Sequence, residues 1–148
     1  MKLTESQGKQ IFKEYEISIP KQFQIEEVDQ DVIVKAQVLV GGRGKAGGIL
    51  KANKENIQEI TNKVLSLNIK GEQVKEVLIE EAIEIEEEHY LSVTLDRNTK
   101  DYLCITSKKG GIDIESVPKE DIIKGSYQEI ENNICHGKQA LFKKLIQI

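Results

Sequence analysis

The sequence predicts an α+β fold, with a mixed, largely antiparallel sheet and flanking helices. Three observations carry this. A run of alternating apolar residues from Val32 to Val40 marks a strand with one core face. Two segments, 4–15 and 54–67, repeat apolar residues at helical spacing. A series of short strand-like runs between 77 and 117 is punctuated by turn residues rather than by helices, which argues for hairpins over crossover units.

The first helix is expected to open at Thr4, which with Gln7 three residues on makes a capping box. Ile11, Phe12 and Tyr15 form its apolar stripe, and Pro20 closes the region because it disfavours helix at Ile19. Phe23 and Ile25 suggest a short strand, and 26–31 an acidic turn. In the strand that follows, Val32, Val34, Ala36, Val38 and Val40 share the core face, while Lys35 and Gln37 stand side by side on the other. Ile49 and Leu50 resume an extended pattern, and Asn53 caps a helix that buries Ile57, Ile60, Val64 and Leu67. Val77-Leu78-Ile79 opens a buried strand. Residues 89–95 and 102–106 pair across the turn at 96–99, and Gly110-Gly111 turns the chain into an extended segment, 112–117. A last amphipathic segment, 138–148, carries Ala140, Leu141, Leu145 and Ile148 on one side.

Composition narrows the function. The 148 residues are 39 % hydrophobic and 31 % charged, a folded rather than disordered composition. A chain of this length buries about 70 % of the surface its unfolded form exposes. A net charge of −4 disfavours a protein that wraps nucleic acid. Cys104 and Cys135 have no metal-site spacing and read as reduced thiols. No apolar run is long enough for a membrane span, and the first residues lack a signal core. Together these point to the cytoplasm.

The chemistry concentrates in residues 41–48, which hold five of the 11 glycines together with Arg43 and Lys45. Glycines let backbone amides approach a ligand, and the two cations favour an anion. The stretch fails as a Walker A loop: Leu39 stands where that motif has its first glycine, and Ala46 follows Lys45. Gly42 to Gly47 fits G-x-G-x-x-G but leads into a strand, not a helix. Strand–loop–strand suits a glycine-rich flap over phosphates, and Lys35 on the preceding strand is placed to meet the same anion. The alternative is a basic hairpin tip without a ligand. The six carboxylates of 80–88 read on their own as solvated surface, and His89 and His136 as structural.

Taken together, these segments resemble the amino-terminal part of the succinyl-CoA synthetase (succinate–CoA ligase, ADP-forming) β subunit, an ATP-grasp domain. The residues that carry the resemblance are Leu3, Glu5, Gln7 and Lys9, then Lys35, Gln37 and Val38, the whole of 41–48, and downstream Glu80, Glu88, Tyr90, Asp96-Arg97, Ser107, Gly110-Gly111 and 112–115. The likeness covers 1–124, read as the nucleotide-binding region; 125–148, a helical segment, matches poorly. The resemblance implies an ATP or ADP site, with GTP left open. In it Lys35 binds phosphate, Gly42, Arg43 and Gly44 form the flap, Glu80 and the Ile83 backbone meet the base, and Glu88 meets the ribose. Pro20 would mark base choice, on the adenine side.

The same resemblance implies an α-subunit partner that carries the phosphohistidine, so neither His89 nor His136 has that role. It also implies magnesium, whose family ligands, an Asn in Glu-x-Asn-Pro and a later Asp, do not occur in the 148 residues. Nor do these residues include the family's carboxyl-terminal domain. The stretch between Pro20 and Val34 is shorter than in many members, and Lys109 replaces a usual glutamate. The expected role is the nucleotide-binding portion of the ligase, incomplete alone. A non-catalytic nucleotide-binding or assembly module, or a remnant that binds nothing, is the alternative.

Overall fold

A computed structural model describes residues 2–111, 113–126 and 129–130. The chain divides into two units, Met1–Ile83 and Glu84–Ile148. Ile112, Cys135, His136 and the 138–148 segment lie outside the described residues.

The first unit opens with α1, Glu5–Glu14, capped as its sequence predicts. The Thr4 hydroxyl accepts the Gln7 N–H at 3.3 Å, and the Gln7 side chain accepts the Thr4 N–H at 3.0 Å. The apolar stripe does not become core, however. No α1 residue is buried, and Tyr15 is exposed. The helix instead docks through Glu5 and Lys9, one turn apart on a single face.

Phe23 is buried, but the expected strand around it reduces to one bridge, Gln22 with Glu80. Phe23 donates its N–H to the Ile79 carbonyl, after which Ile25–Glu27 makes a turn of 3-10 helix. The Glu27 carboxylate accepts the Gln24 N–H at 2.8 Å, a local bond that competes with strand pairing.

Strand β1, Val32–Ala36, is the centre of a three-stranded antiparallel sheet. It lies between β2, Ile49–Ala52, and a later strand at 77–81. Val32, Val34 and Ala36 are fully buried, as the alternation requires. The strand stops four residues short of Val40 for an identifiable reason. The Leu39 N–H goes to the Glu72 carboxylate at 3.1 Å instead of to a neighbouring strand. Gln37 is therefore not displayed beside Lys35. It is buried, and its amide nitrogen turns back onto the carbonyls of Lys35 and Ala36.

After β2, Asn53 and Asn56 exchange bonds: the Asn53 side chain accepts the N–H of Asn56, and the Asn56 side chain that of Asn53. This turn delays α2 to Ile57–Leu65, three residues later than the apolar pattern predicts. Ile57, Thr61 and Val64 are buried; Ile60 and Leu67 pack at the margin of the core. A two-residue hairpin, β3 Asn68–Ile69 to β4 Glu72–Gln73, turns through Lys70 and Gly71, both at positive φ. This is the primed turn that matches strand twist, and glycine makes its second position cheap. Strand β5, Val77–Glu81, completes the sheet.

In the second unit, β6, Tyr90–Asp96, pairs antiparallel with β7, Asp101–Ser107, which pairs with β8, Ile123–Gly125. The expected extended segment at 112–117 is instead a 3-10 turn at Ile114–Ser116, with a second at Lys119–Asp121 after Pro118. Among the described residues no helix is long and apolar enough to cross a membrane.

Candidate functional site

Five charged side chains of the first unit converge on one face of β1 and β5. Glu80 comes from β5, Lys35 from β1, Arg43 from the glycine loop, and Glu5 and Lys9 from α1. The strand register explains the first pairing, since Lys35 lies opposite Leu78, two residues along β5 from Glu80.

Glu80 is 1 % exposed and is held by two ammonium groups. Lys9 Nζ donates to its two oxygens at 2.5 and 2.6 Å, and Lys35 Nζ donates to Oε2 at 2.8 Å. Glu5 takes three cations: Lys9 at 2.9 Å, Lys35 at 3.1 Å and Arg43 at 2.8 Å. Three cations thus face two carboxylates, which leaves one positive charge in excess. A carboxylate buried this deeply needs such pairing, because desolvation of an unpaired charge costs several kcal/mol.

The electrostatics follow from these contacts. Burial raises the Glu5 carboxyl pKa, but the bonds and charges of Lys9 and Lys35 outweigh it and bring it from 4.5 to about 2. Burial lowers the Lys35 ammonium pKa, but Glu80 and Glu5 outweigh it and lift it above 10.5. A depressed carboxylate stabilises the fold above its unfolded pKa and loses that contribution as the pH falls through the folded one. Acidification from pH 5 toward 2 should therefore remove on the order of 2 kcal/mol at Glu5, after allowance for its residual solvent access. For Lys35 the sign is opposite, and its contribution fades only as the pH rises past 10.5. Urea midpoints of the parent and Glu5→Gln chains between pH 2 and 6 check this. The two curves should converge toward the acid end, and parallel curves would contradict the assignment.

The glycine loop joins β1 to β2, whose Ile49 lies opposite Lys35. The loop is internally bonded: the N–H groups of Ala46, Gly47 and Gly48 go to the carbonyls of Gly42, Gly44 and Arg43. Those of Gly41, Gly42, Arg43 and Gly44 make no hydrogen bond among the described residues. Gly42 and Gly47 are at positive φ. Arg43 folds back, with Nη1 on the Ala36 carbonyl at 3.0 Å and Nη2 on Glu5. The loop thus carries four unbonded amides, and its Arg43 side chain meets Lys35 on Glu5; free amides and cations of this kind suit an oxyanion.

Of the residues predicted from sequence, the structure brings together Lys35, Arg43 and Glu80, with Gly42 and Gly44 flanking Arg43. Pro20 is followed by a segment that runs along β5: the Glu81 N–H donates to the Lys21 carbonyl, and Gln22 bridges Glu80. Ile83 is exposed just beyond β5. Glu88 belongs to the second unit, where its carbonyl accepts the Gly110 N–H at 2.9 Å. Of the acidic run, residues 84–88 are exposed, whereas Glu80 is core-like. His89 pairs with Glu87 at 2.9 Å. Sequence reasoning missed Glu5 and Lys9 as site residues. Their spacing of four shows a shared helix face, but nothing local tells which strand that face meets.

The chain belongs to the ATP-grasp domain family. The family match runs over residues 2–140. ATP-grasp membership agrees with the α+β architecture and with the glycine-rich loop between β1 and β2. Several curated proteins resemble the chain. A succinate–CoA ligase [ADP-forming] subunit beta of Methanocaldococcus jannaschii is 46 % identical over 84 % of this chain and 37 % of that protein. Its counterpart from Methanothermobacter thermautotrophicus is 43 % identical over 98 % of this chain and 43 % of its own length. That of Bacteroides thetaiotaomicron is 39 % identical over 81 % of this chain and 35 % of its own. The chain thus spans 35 to 43 % of the length of these relatives.

A divalent cation does not suit this ATP-grasp cluster as it stands. Both of its carboxylates are engaged by lysine or arginine. Among the described residues no group of three or more His, Cys, Asp or Glu side chains is placed to hold a metal.

Proposed function

We propose that the chain grips the nucleotide for a succinate–CoA ligase of the ADP-forming kind, as part of its β subunit. The observation that carries this is the meeting of Lys35 and Arg43 on Glu5, with unbonded amides in the glycine loop that bears Arg43, in a chain that resembles such subunits. In that reading Lys35 supplies a point charge to the nucleotide phosphates, while Gly42, Arg43 and Gly44 close over them. Phosphoryl transfer asks mainly for positioning and charge neutralisation.

Glu80, with both oxygens held by lysines, serves the site first by orienting Lys35. With the Ile83 backbone it borders the place for the base. Pro20, next to the segment that runs along β5, tunes the choice of base toward adenine. Glu88 is assigned to the ribose. The nucleotide-binding region extends over 1–124. ATP and ADP are the expected ligands, with GTP the competitor to test. Turnover of succinate and CoA would require the α subunit and the remainder of the β subunit. The cytoplasm is the proposed compartment.

The test is a thermal-shift titration with ATP, ADP and GTP on the parent and Lys35→Ala chains. A ligand at 100 times its dissociation constant adds about 2.7 kcal/mol of stability. A hydrogen bond to a charged group contributes about 1.5–3 kcal/mol, so Lys35→Ala should weaken ATP binding roughly ten- to a hundred-fold. A shift of equal size in both chains would remove Lys35 from the site. No shift for any nucleotide would favour a remnant that has kept the fold and lost the ligand.

A further inference from the structure

Glu5 stands out in the cluster because it touches a cation from three separate elements: Lys9 of α1, Lys35 of β1 and Arg43 of the loop, at 2.9, 3.1 and 2.8 Å. Two of these are the cations assigned above to the nucleotide phosphates. We propose that the Glu5 carboxylate is the resident anion of the phosphate subsite in the free chain, that polyphosphate binds by displacing it, and that its displacement loosens α1. This rests on the phosphate reading of Lys35 and Arg43.

Two observations support it. First, the chemistry matches. A carboxylate and a phosphate both accept charge-assisted bonds from lysine and arginine, but a phosphate brings more charge and more oxygens. Phosphate that reaches Lys35 and Arg43 meets cations already engaged, so binding is an exchange and Glu5 must give way. Second, charged contacts carry much of what holds α1, whose apolar Ile11 and Phe12 are only half-buried. None of its residues is buried. Its other ties are Lys9 on Glu80, the Ser6 N–H on the Gln37 side chain at 2.8 Å, and Lys13 on the Gln22 side chain at 3.4 Å. Removal of the Glu5 bonds therefore takes away a large part of what fixes the helix, and ligand entry is transmitted to the amino-terminal segment.

Calorimetric titration of ATP and of inorganic tripolyphosphate into the parent, Glu5→Gln, Glu14→Gln and Lys35→Ala chains tests this. Glu14→Gln removes the same charge from the far end of α1. With the competing carboxylate gone, Glu5→Gln should bind both ligands roughly tenfold tighter. Glu14→Gln should stay within about twofold of the parent, because a distant exposed charge is largely screened. Glu5→Asp, which keeps the charge on a shorter stem, should gain less than Glu5→Gln and covers the case in which the latter fails to fold. In the parent, saturating ATP should speed hydrogen exchange of the α1 amides, 5–14. If Glu5 only positions Lys35 and Arg43, both variants bind more weakly and ATP slows exchange in α1; either result overturns the inference. Parent binding that is lost in Lys35→Ala, with no gain in Glu5→Gln, defeats the inference and leaves the phosphate reading intact. Absence of binding in the parent and in both Glu5 variants defeats both.

Discussion

Replacing Glu80 by alanine is expected to destabilise the chain by about 3 kcal/mol, the low end of what losing one partner of a buried ion pair costs. The side chain is 1 % exposed and accepts from two lysines. Its removal leaves the Lys9 and Lys35 ammonium groups close together, with Glu5 as their remaining carboxylate. The effect stays at the low end because those lysine side chains keep 13 and 21 % of their exposure and can turn their heads toward water. Glu80→Gln keeps the shape and an acceptor oxygen and should cost about half as much. Urea unfolding at pH 7 reads both. A cost below about 1 kcal/mol for Glu80→Ala would mean that the cluster contributes no more than surface pairs do. The same variant should bind ATP poorly, since Lys35 loses the group that aims it.

The elements that were legible in the sequence are those whose signals are local. The capping box at Thr4 and Gln7 needs only four residues, and it forms as read. The alternation through Val32, Val34 and Ala36 needs only one buried face, and all three are buried. The glycine loop between two strands was legible because its composition permits little else. What failed was decided at a distance. The β1 strand ends because Glu72, far along the chain, takes the Leu39 N–H. The docking of α1 by Glu5 and Lys9 onto Lys35, Arg43 and Glu80, beside a half-buried Ile11 and Phe12, has no local signal either. Glu80 looked like the start of a solvated acidic run, yet it lies on a strand whose neighbours bury it. The β3–β4 hairpin was missed because its two-residue strands are too short to show a period, and Lys70-Gly71 is a weaker turn signal than Asn-Gly.

The glycine loop is also tied to the core, and that tie predicts a second large effect. Ile69, from β3, is 1 % exposed and packs among the core residues. Its Cδ1 lies 2.9 Å from where a Cβ on Gly48 would stand. Ile69→Ala should therefore cost about 2–5 kcal/mol, the range for truncating a buried isoleucine. Gly48→Ala should cost about 1–3 kcal/mol by overpacking. The clash is set by three atoms, since the Ala36 Cβ at 3.1 Å and the Arg43 carbonyl at 3.2 Å also crowd the position. Ile69→Ala removes only the nearest of them. The double variant should thus be less destabilised than the two single costs combined, with a coupling of at least about 0.5 kcal/mol, as found for residues that share a contact. Gly48→Ala alone should also weaken ATP binding, because the new methyl pushes on the Arg43 carbonyl and so on the flap. A second-site Ile69→Ala should recover part of that binding while lowering stability further. If the costs add without coupling, Gly48 is not held against Ile69, and the Ala36 Cβ and the Arg43 carbonyl alone set the clash.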